Sequence, residues 1–187
     1  MEKSQQRVIT SLTFTALFAA LISAGAFVVI PIGPVPIAIQ NLFTLLAGLV
    51  LGPFLGASAV ALFIIAGAIG VPVFANNGTP MGIARIIGPT GGYLFGYLLG
   101  AAAAGFIAGF PRPDKTTPLW RLVPAAFAGM LVVYVPGLIR LKFFLHTGWK
   151  QTLAAGFVPF IAGDVIKGIA AVLAAPRLRR IALRHIA

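Results

Sequence analysis

The sequence predicts an all-α integral membrane protein with six transmembrane helices, and three observations carry that prediction. Of 187 residues, 59% are hydrophobic and 9% charged, with a mean hydropathy of +1.02, far from the balance of a water-soluble domain. Apolar runs recur along the whole length, so residues 1–187 belong to one membrane-embedded domain with no room for a separate soluble catalytic or ATP-binding unit. Proline and glycine clusters divide those runs into pieces of roughly the length a bilayer crossing needs.

Span one covers residues 8–30 and stops at Pro31-Ile32-Gly33-Pro34-Val35-Pro36, where three prolines forbid helix continuation. Within it Ala16, Ala20 and Ala24 recur every four residues, a flat stripe that another helix can approach closely. Internal packing and a partner-protein surface both fit that stripe. Span two, 37–51, is short and carries Gln40, Asn41 and Thr44 near one end. These polar groups either glue helices together or line a polar cavity. Gly52-Pro53 makes a tight connection to span three, 54–71, which ends at Pro72.

Residues 72–90 contain Asn76, Asn77, Arg85 and several glycines and prolines, too polar and broken to span but apolar enough to fold back as a lid. Gly88-Pro-Thr-Gly-Gly lacks the Gly-Lys-Ser/Thr ending of a P-loop and follows no strand, so it is not a phosphate cradle. Span four follows at 91–110, span five at 119–139 and span six at 152–175, with a loop at 140–151 and a basic tail after Pro176.

Six spans put both termini on one side of the membrane. With cytoplasmic termini, nine basic residues lie inside (Lys3, Arg7, Arg112, Lys115, Arg121, Arg177, Arg179, Arg180, Arg184) against four outside (Arg85, Arg140, Lys142, Lys150). The positive-inside rule favours that orientation, which turns the lid and the 140–151 loop outward. The net charge of +11 is thus read as topology signal and lipid contact, not as a nucleic-acid surface. Two isolated histidines offer no metal site, and the absence of cysteine excludes thiol chemistry.

The feature that points to function lies in span six. Asp164 and Lys167 stand three residues apart in an otherwise apolar stretch, about 60° apart on one helical face. A charge at bilayer depth costs at least about 2.5–3.5 kcal/mol, so such a face turns inward and marks a binding site or an ion path. A purely structural ion pair adds little stability once desolvation is counted. Lys167 offers up to three donors and Asp164 only acceptors, a combination suited to a small polar ring that both donates and accepts, while Arg85 on the lid suits a carboxylate. No serine nucleophile has a histidine beside it, and no second carboxylate supports acid–base work, so catalysis is disfavoured. A proton-coupled carrier for a small anion, or an assembly subunit that binds nothing, are the competing readings.

Gly70-Val-Pro-Val-Phe-Ala75, Gly88-Pro-Thr-Gly-Gly-Tyr93 and Pro159-Phe-Ile-Ala-Gly-Asp-Val-Ile-Lys167 together resemble the BioY family, the biotin-specific S components of energy-coupling factor (ECF) transporters. The resemblance runs from Pro34 and Gln40 to the end of span six. It implies a six-helix S-component fold, high-affinity biotin binding near the outer surface, and uptake across the cytoplasmic membrane. The power would come from ATP hydrolysed by two ATP-binding-cassette subunits on separate chains, through a transmembrane coupling (T) protein, with no cofactor on this chain. It places Asp164 and Lys167 on the polar part of biotin, adds Phe74, Asn76, Asn77, Arg85, Thr90, Tyr93 and Gln40 as further ligand contacts, and assigns Ala16 and Ala20 to the T-protein interface. One departure is Ala162, where the family often has proline; alanine leaves a backbone donor there and straightens the helix.

Overall fold

The computed structural model describes residues 2–30, 35, 37–75, 82–112 and 117–186. The chain folds as α1 (Glu2–Gly25), β1 (Val29–Ile30), β2 (Ile37–Ala38), α2 (Gln40–Leu51), α3 (Pro53–Ala68), α4 (Ile83–Ile87), α5 (Gly91–Ala108), α6 (Leu119–Leu145), α7 (Trp149–Gly156), a 3-10 turn (Val158–Phe160) and α8 (Ile161–Ile186). Among the described residues four helical stretches are long and apolar enough to cross a membrane: Ser4–Gly25, Gly91–Ala108, Leu119–Leu145 and Trp149–Arg184. The helices α2 and α3 are apolar but shorter than a bilayer core requires.

Glycine sets how closely these helices pack. On α5, Gly92, Gly96 and Gly100 repeat every four residues against α6, and a Cβ at each would lie 2.2, 2.4 and 2.5 Å from the carbonyl oxygens of Pro136, Val133 and Gly129. A Cβ at Gly48 of α2 would sit 2.2 Å from the Ala101 carbonyl of α5. No larger residue fits without parting the backbones, so these glycines give the dispersion contact that drives packing in lipid. Outward-facing Leu12, Phe54, Phe127, Ile166 and Leu173 are exposed, as lipid-facing positions require.

Several sequence expectations are corrected. Span one does not run to Ile30: α1 ends at Gly25, and Val29 and Ile30 pair antiparallel with Ala38 and Ile37. The β-branched Val28-Val29-Ile30 run favours this extended conformation. The loop predicted at 140–151 shrinks because α6 continues to Leu145 and α7 begins at Trp149, joined through His146 in the left-handed conformation. Span six is broken: Phe157 and the 3-10 turn containing Pro159 separate α7 from α8. Ala162 therefore sits in the first turn of α8, where the backbone N–H lacks an intrahelical acceptor in any case, so Pro159 makes the break and the alanine does not straighten it.

The basic tail after Pro176 is also not a loose segment, for α8 runs through it to Ile186. Arg179 is 3% exposed. It donates through Nε to the Leu49 carbonyl, through Nη1 to the Ala108 carbonyl at 3.5 Å and to the Thr117 hydroxyl, and through Nη2 to the Gly109 carbonyl at 2.7 Å. It thereby ties together the C-terminal ends of α2 and α5, whose carbonyls and dipoles favour a cation. The expectation that Arg179 is a lipid-contacting topology charge fails on this burial. Arg179→Met should lower stability on the order of 3 kcal/mol, seen as a melting temperature in detergent several degrees lower. Arg180→Met, on the exposed neighbour, should leave it nearly unchanged; equal effects would mean that both arginines are surface charges.

Candidate functional site

The break before α8 decides where Asp164 lies. Asp164 occupies the first turn of the helix, near its mouth and not half-way along a continuous span, and the positive end of the helix dipole favours a carboxylate there. Lys167 follows one turn later, and the expected pair forms with Nζ 3.3 Å from Asp164 Oδ1, each side chain 12% exposed.

Three more residues complete the cluster. Asn41 Nδ2 of α2 donates to Asp164 Oδ1 at 2.8 Å. The Tyr134 hydroxyl of α6 donates to Asp164 Oδ2. Lys167 Nζ also donates to the Ala38 carbonyl of β2 at 2.9 Å, fastening the hairpin to α8. The carboxylate is thus shared by α2, α6 and α8, and the ammonium joins it to the hairpin.

Around this cluster the protein leaves an aromatic-lined cavity in three adjoining sections. The middle section is bounded by Val35, Tyr93, Tyr134, Phe160, Asp164 and Lys167. Tyr134 stands edge-on to Tyr93 and to Phe157, with ring centroids 6.3 and 4.7 Å apart. Tyr93 is fixed by donating to the Gly156 carbonyl at 2.8 Å, and its ring fills the space that a Cβ on Gly137 would need. Apolar walls with a few convergent polar groups make a site for a small organic molecule.

A second section, under the lid, is lined by Gln40, Phe74, Arg85, Thr90, Tyr93 and Tyr97. Five residues predicted from the resemblance therefore meet in one place. Arg85 is buried and donates through Nη2 to the Ala75 carbonyl, and burial pulls its pKa below the ordinary arginine value. Gln40 Oε1 and Thr90 Oγ1 are buried without a hydrogen-bond partner among the described residues. Phe74 packs edge-on against Phe63 and occupies the notch left by Gly67. Asn76 and Asn77 lie outside the described residues. Ala16 and Ala20 line no part of the cavity; both are exposed on α1, as is Ala24.

The third section extends from Asp164 between α2, α5 and α6, past Asn41, Thr44, Tyr97, Gly100 and Gly129. The sequence reading left Asn41 undecided between helix glue and cavity lining, and it serves as both. Tyr97, Tyr134 and Phe160 were missed, since a lone aromatic in an apolar span carries no signal of which way it faces. Lys167→Met should leave the fold intact but free the Ala38 carbonyl, raising hydrogen–deuterium exchange at residues 28–30 and 37–39 about tenfold. Unchanged exchange would mean that the hairpin holds without the lysine.

Comparison with known proteins gives a consistent result. The profile of the BioY family matches residues 1–184. A biotin transporter BioY of Thermotoga maritima is 41% identical over 88% of this chain and 93% of its own. A probable biotin transporter BioY of Pyrococcus horikoshii is 43% identical over 89% and 94%. Among solved structures, the S-component for biotin from an ECF-type ABC transporter aligns over 92% of both chains at 34% identity, with a TM-score of 0.80.

Proposed function

The chain belongs to the BioY family, and from that premise we propose that it captures biotin and mediates its uptake as the substrate-specific subunit of an ECF transporter in the cytoplasmic membrane. The observation that carries this reading is the Asp164–Lys167 pair set into an aromatic cavity. Biotin is a cyclic urea fused to a sulfur ring, with an aliphatic tail ending in a carboxylate. Its urea needs both acceptors and donors, which Asp164 and Lys167 supply. The apolar ring atoms pack on Tyr93, Tyr134 and Phe160, and the tail extends beneath the lid toward Arg85, with Gln40, Phe74 and Thr90 beside it. Asn76 and Asn77 of the lid are further ligand contacts in this reading.

The chain makes six passes in one membrane-embedded domain, through α1, α2, α3, α5, α6 and α8, with both termini cytoplasmic. Nine of the twelve residues of α2 are buried, so protein and not lipid surrounds it, and the bilayer does not set its length. The exposed small-residue stripe of α1 at Ala16 and Ala20 faces the T protein, through which two ATP-binding-cassette ATPases drive reorientation of the loaded subunit. This chain itself carries no cofactor and performs no chemistry.

Titration of labelled biotin onto the full-length chain purified in detergent tests the reading: saturable binding tighter than micromolar is expected. Asp164→Asn should weaken it at least about a hundredfold, since a charged acceptor is lost from a site of low dielectric. Absence of binding would sink the proposal in favour of an assembly subunit that binds nothing, and uptake driven by a pH gradient without any ATPase would sink it in favour of a secondary carrier.

A further inference from the structure

Asp164 accepts from Asn41, and that bond fixes which way the amide faces. A carboxylate oxygen cannot donate, so Nδ2 points at Asp164 and Oδ1 points away. Oδ1 is buried and has no hydrogen-bond partner among the described residues. Asn41 also lines the cavity on both sides of Asp164, in the section with Tyr93, Phe160 and Lys167 and in the section with Thr44 and Tyr97. A buried amide oxygen without a donor is unfavourable, and the residue that carries it lines the cavity.

We propose that Asn41 is a specificity-determining residue: its Oδ1 accepts an N–H from the polar ring of the ligand while its Nδ2 keeps Asp164 aimed. This rests on the biotin reading above and adds which atoms read the ring. The valences close. Tyr134 has one hydroxyl proton and donates it to Asp164 Oδ2. Lys167 has three donors, of which one goes to Ala38 and one to Asp164, leaving one for a ligand carbonyl. The Asp164 carboxylate retains lone pairs for one N–H, and Asn41 Oδ1 takes a second. Two acceptors beside one donor complement a cyclic urea, in which two N–H groups flank one carbonyl, and reject a ring in which one N–H is missing.

The test compares biotin with its two cyclic-carbamate analogues, in each of which one ring N–H is replaced by oxygen. The wild-type chain in detergent should prefer biotin over one isomer by about tenfold or more through the Asn41 contact, because a site built around an N–H leaves its acceptor unpaired otherwise. In Asn41→Ala, and equally in Asn41→Ser, the lost support of Asp164 should weaken both ligands and the lost N–H contact should weaken biotin further, so the preference collapses to within about twofold. Tyr134→Phe, which removes a support of Asp164 without touching Asn41 Oδ1, should weaken biotin and that isomer by the same factor and keep the preference. If the Asn41 variants weaken both ligands equally, or if wild type binds both isomers as well as biotin, Asn41 is only a strut and the assignment falls while the biotin reading stands. Failure of wild type to bind biotin would overturn both.

Discussion

The structure depends most on the sharing of one carboxylate. Asp164 takes a hydrogen bond from Asn41, 123 residues earlier in the chain, and another from Tyr134, 30 residues earlier. Lys167 links the same group to Ala38, 129 residues before it. In a medium without water to solvate it, a carboxylate must find its donors within the protein. Meeting that requirement fixes α2, α6 and α8 around one point and closes the hairpin over it. The cavity is what remains between elements drawn together on polar terms but lined with apolar and aromatic groups.

Such convergence needs backbones that come unusually close, which is why the glycines on α5 belong to the site although they contribute no side chain to it. Gly92, Gly96 and Gly100 let α6 lie against α5, and the approach presents Tyr134 from one helix opposite Tyr93 and Tyr97 from the other. Gly137 and Gly156 play the same part around Tyr93, leaving space for its ring and hydroxyl. Sequence shows these glycines as helix-weakening residues. Only in lipid, where close packing replaces the hydrophobic drive, does their number become an advantage.

What the sequence made legible follows from contrast. Asp164 and Lys167 stand out because two charges in an apolar run violate an energetic rule, and the structure pairs them as their spacing predicted. The polar start of α2 was visible as Gln40 and Asn41, but whether an amide there glues helices or faces a cavity depends on its neighbours in space. Tyr134 and Phe160 gave no contrast, since aromatic residues belong equally to lipid faces and to pocket walls. Helix ends were misjudged where an apolar run continues through a break: hydropathy is blind to Phe157–Phe160, although Pro159 lies there, and to the hairpin after Gly25. Arg179 was misread for the opposite reason, because a basic residue after a span ordinarily snorkels to the interface.

The buried Arg179 and the half-buried Lys167 of α8 both donate to backbone carbonyls, yet they play different parts. Arg179 uses four of its five donors on acceptors from α2, from the end of α5 and from Thr117, a set that leaves little for anything else to bind. Lys167 uses two of its three, and its neighbour Asn41 holds an acceptor with no partner among the described residues; both residues line a cavity. About twelve residues of helix, some 18 Å, separate Lys167 from Arg179. Burial and charge alone do not distinguish a structural cation from a recognition site. Unspent hydrogen-bonding capacity does: it is costly to keep in a membrane interior, and at the Asp164 end of α8 it is kept by residues that line a cavity, as the proposed biotin site requires.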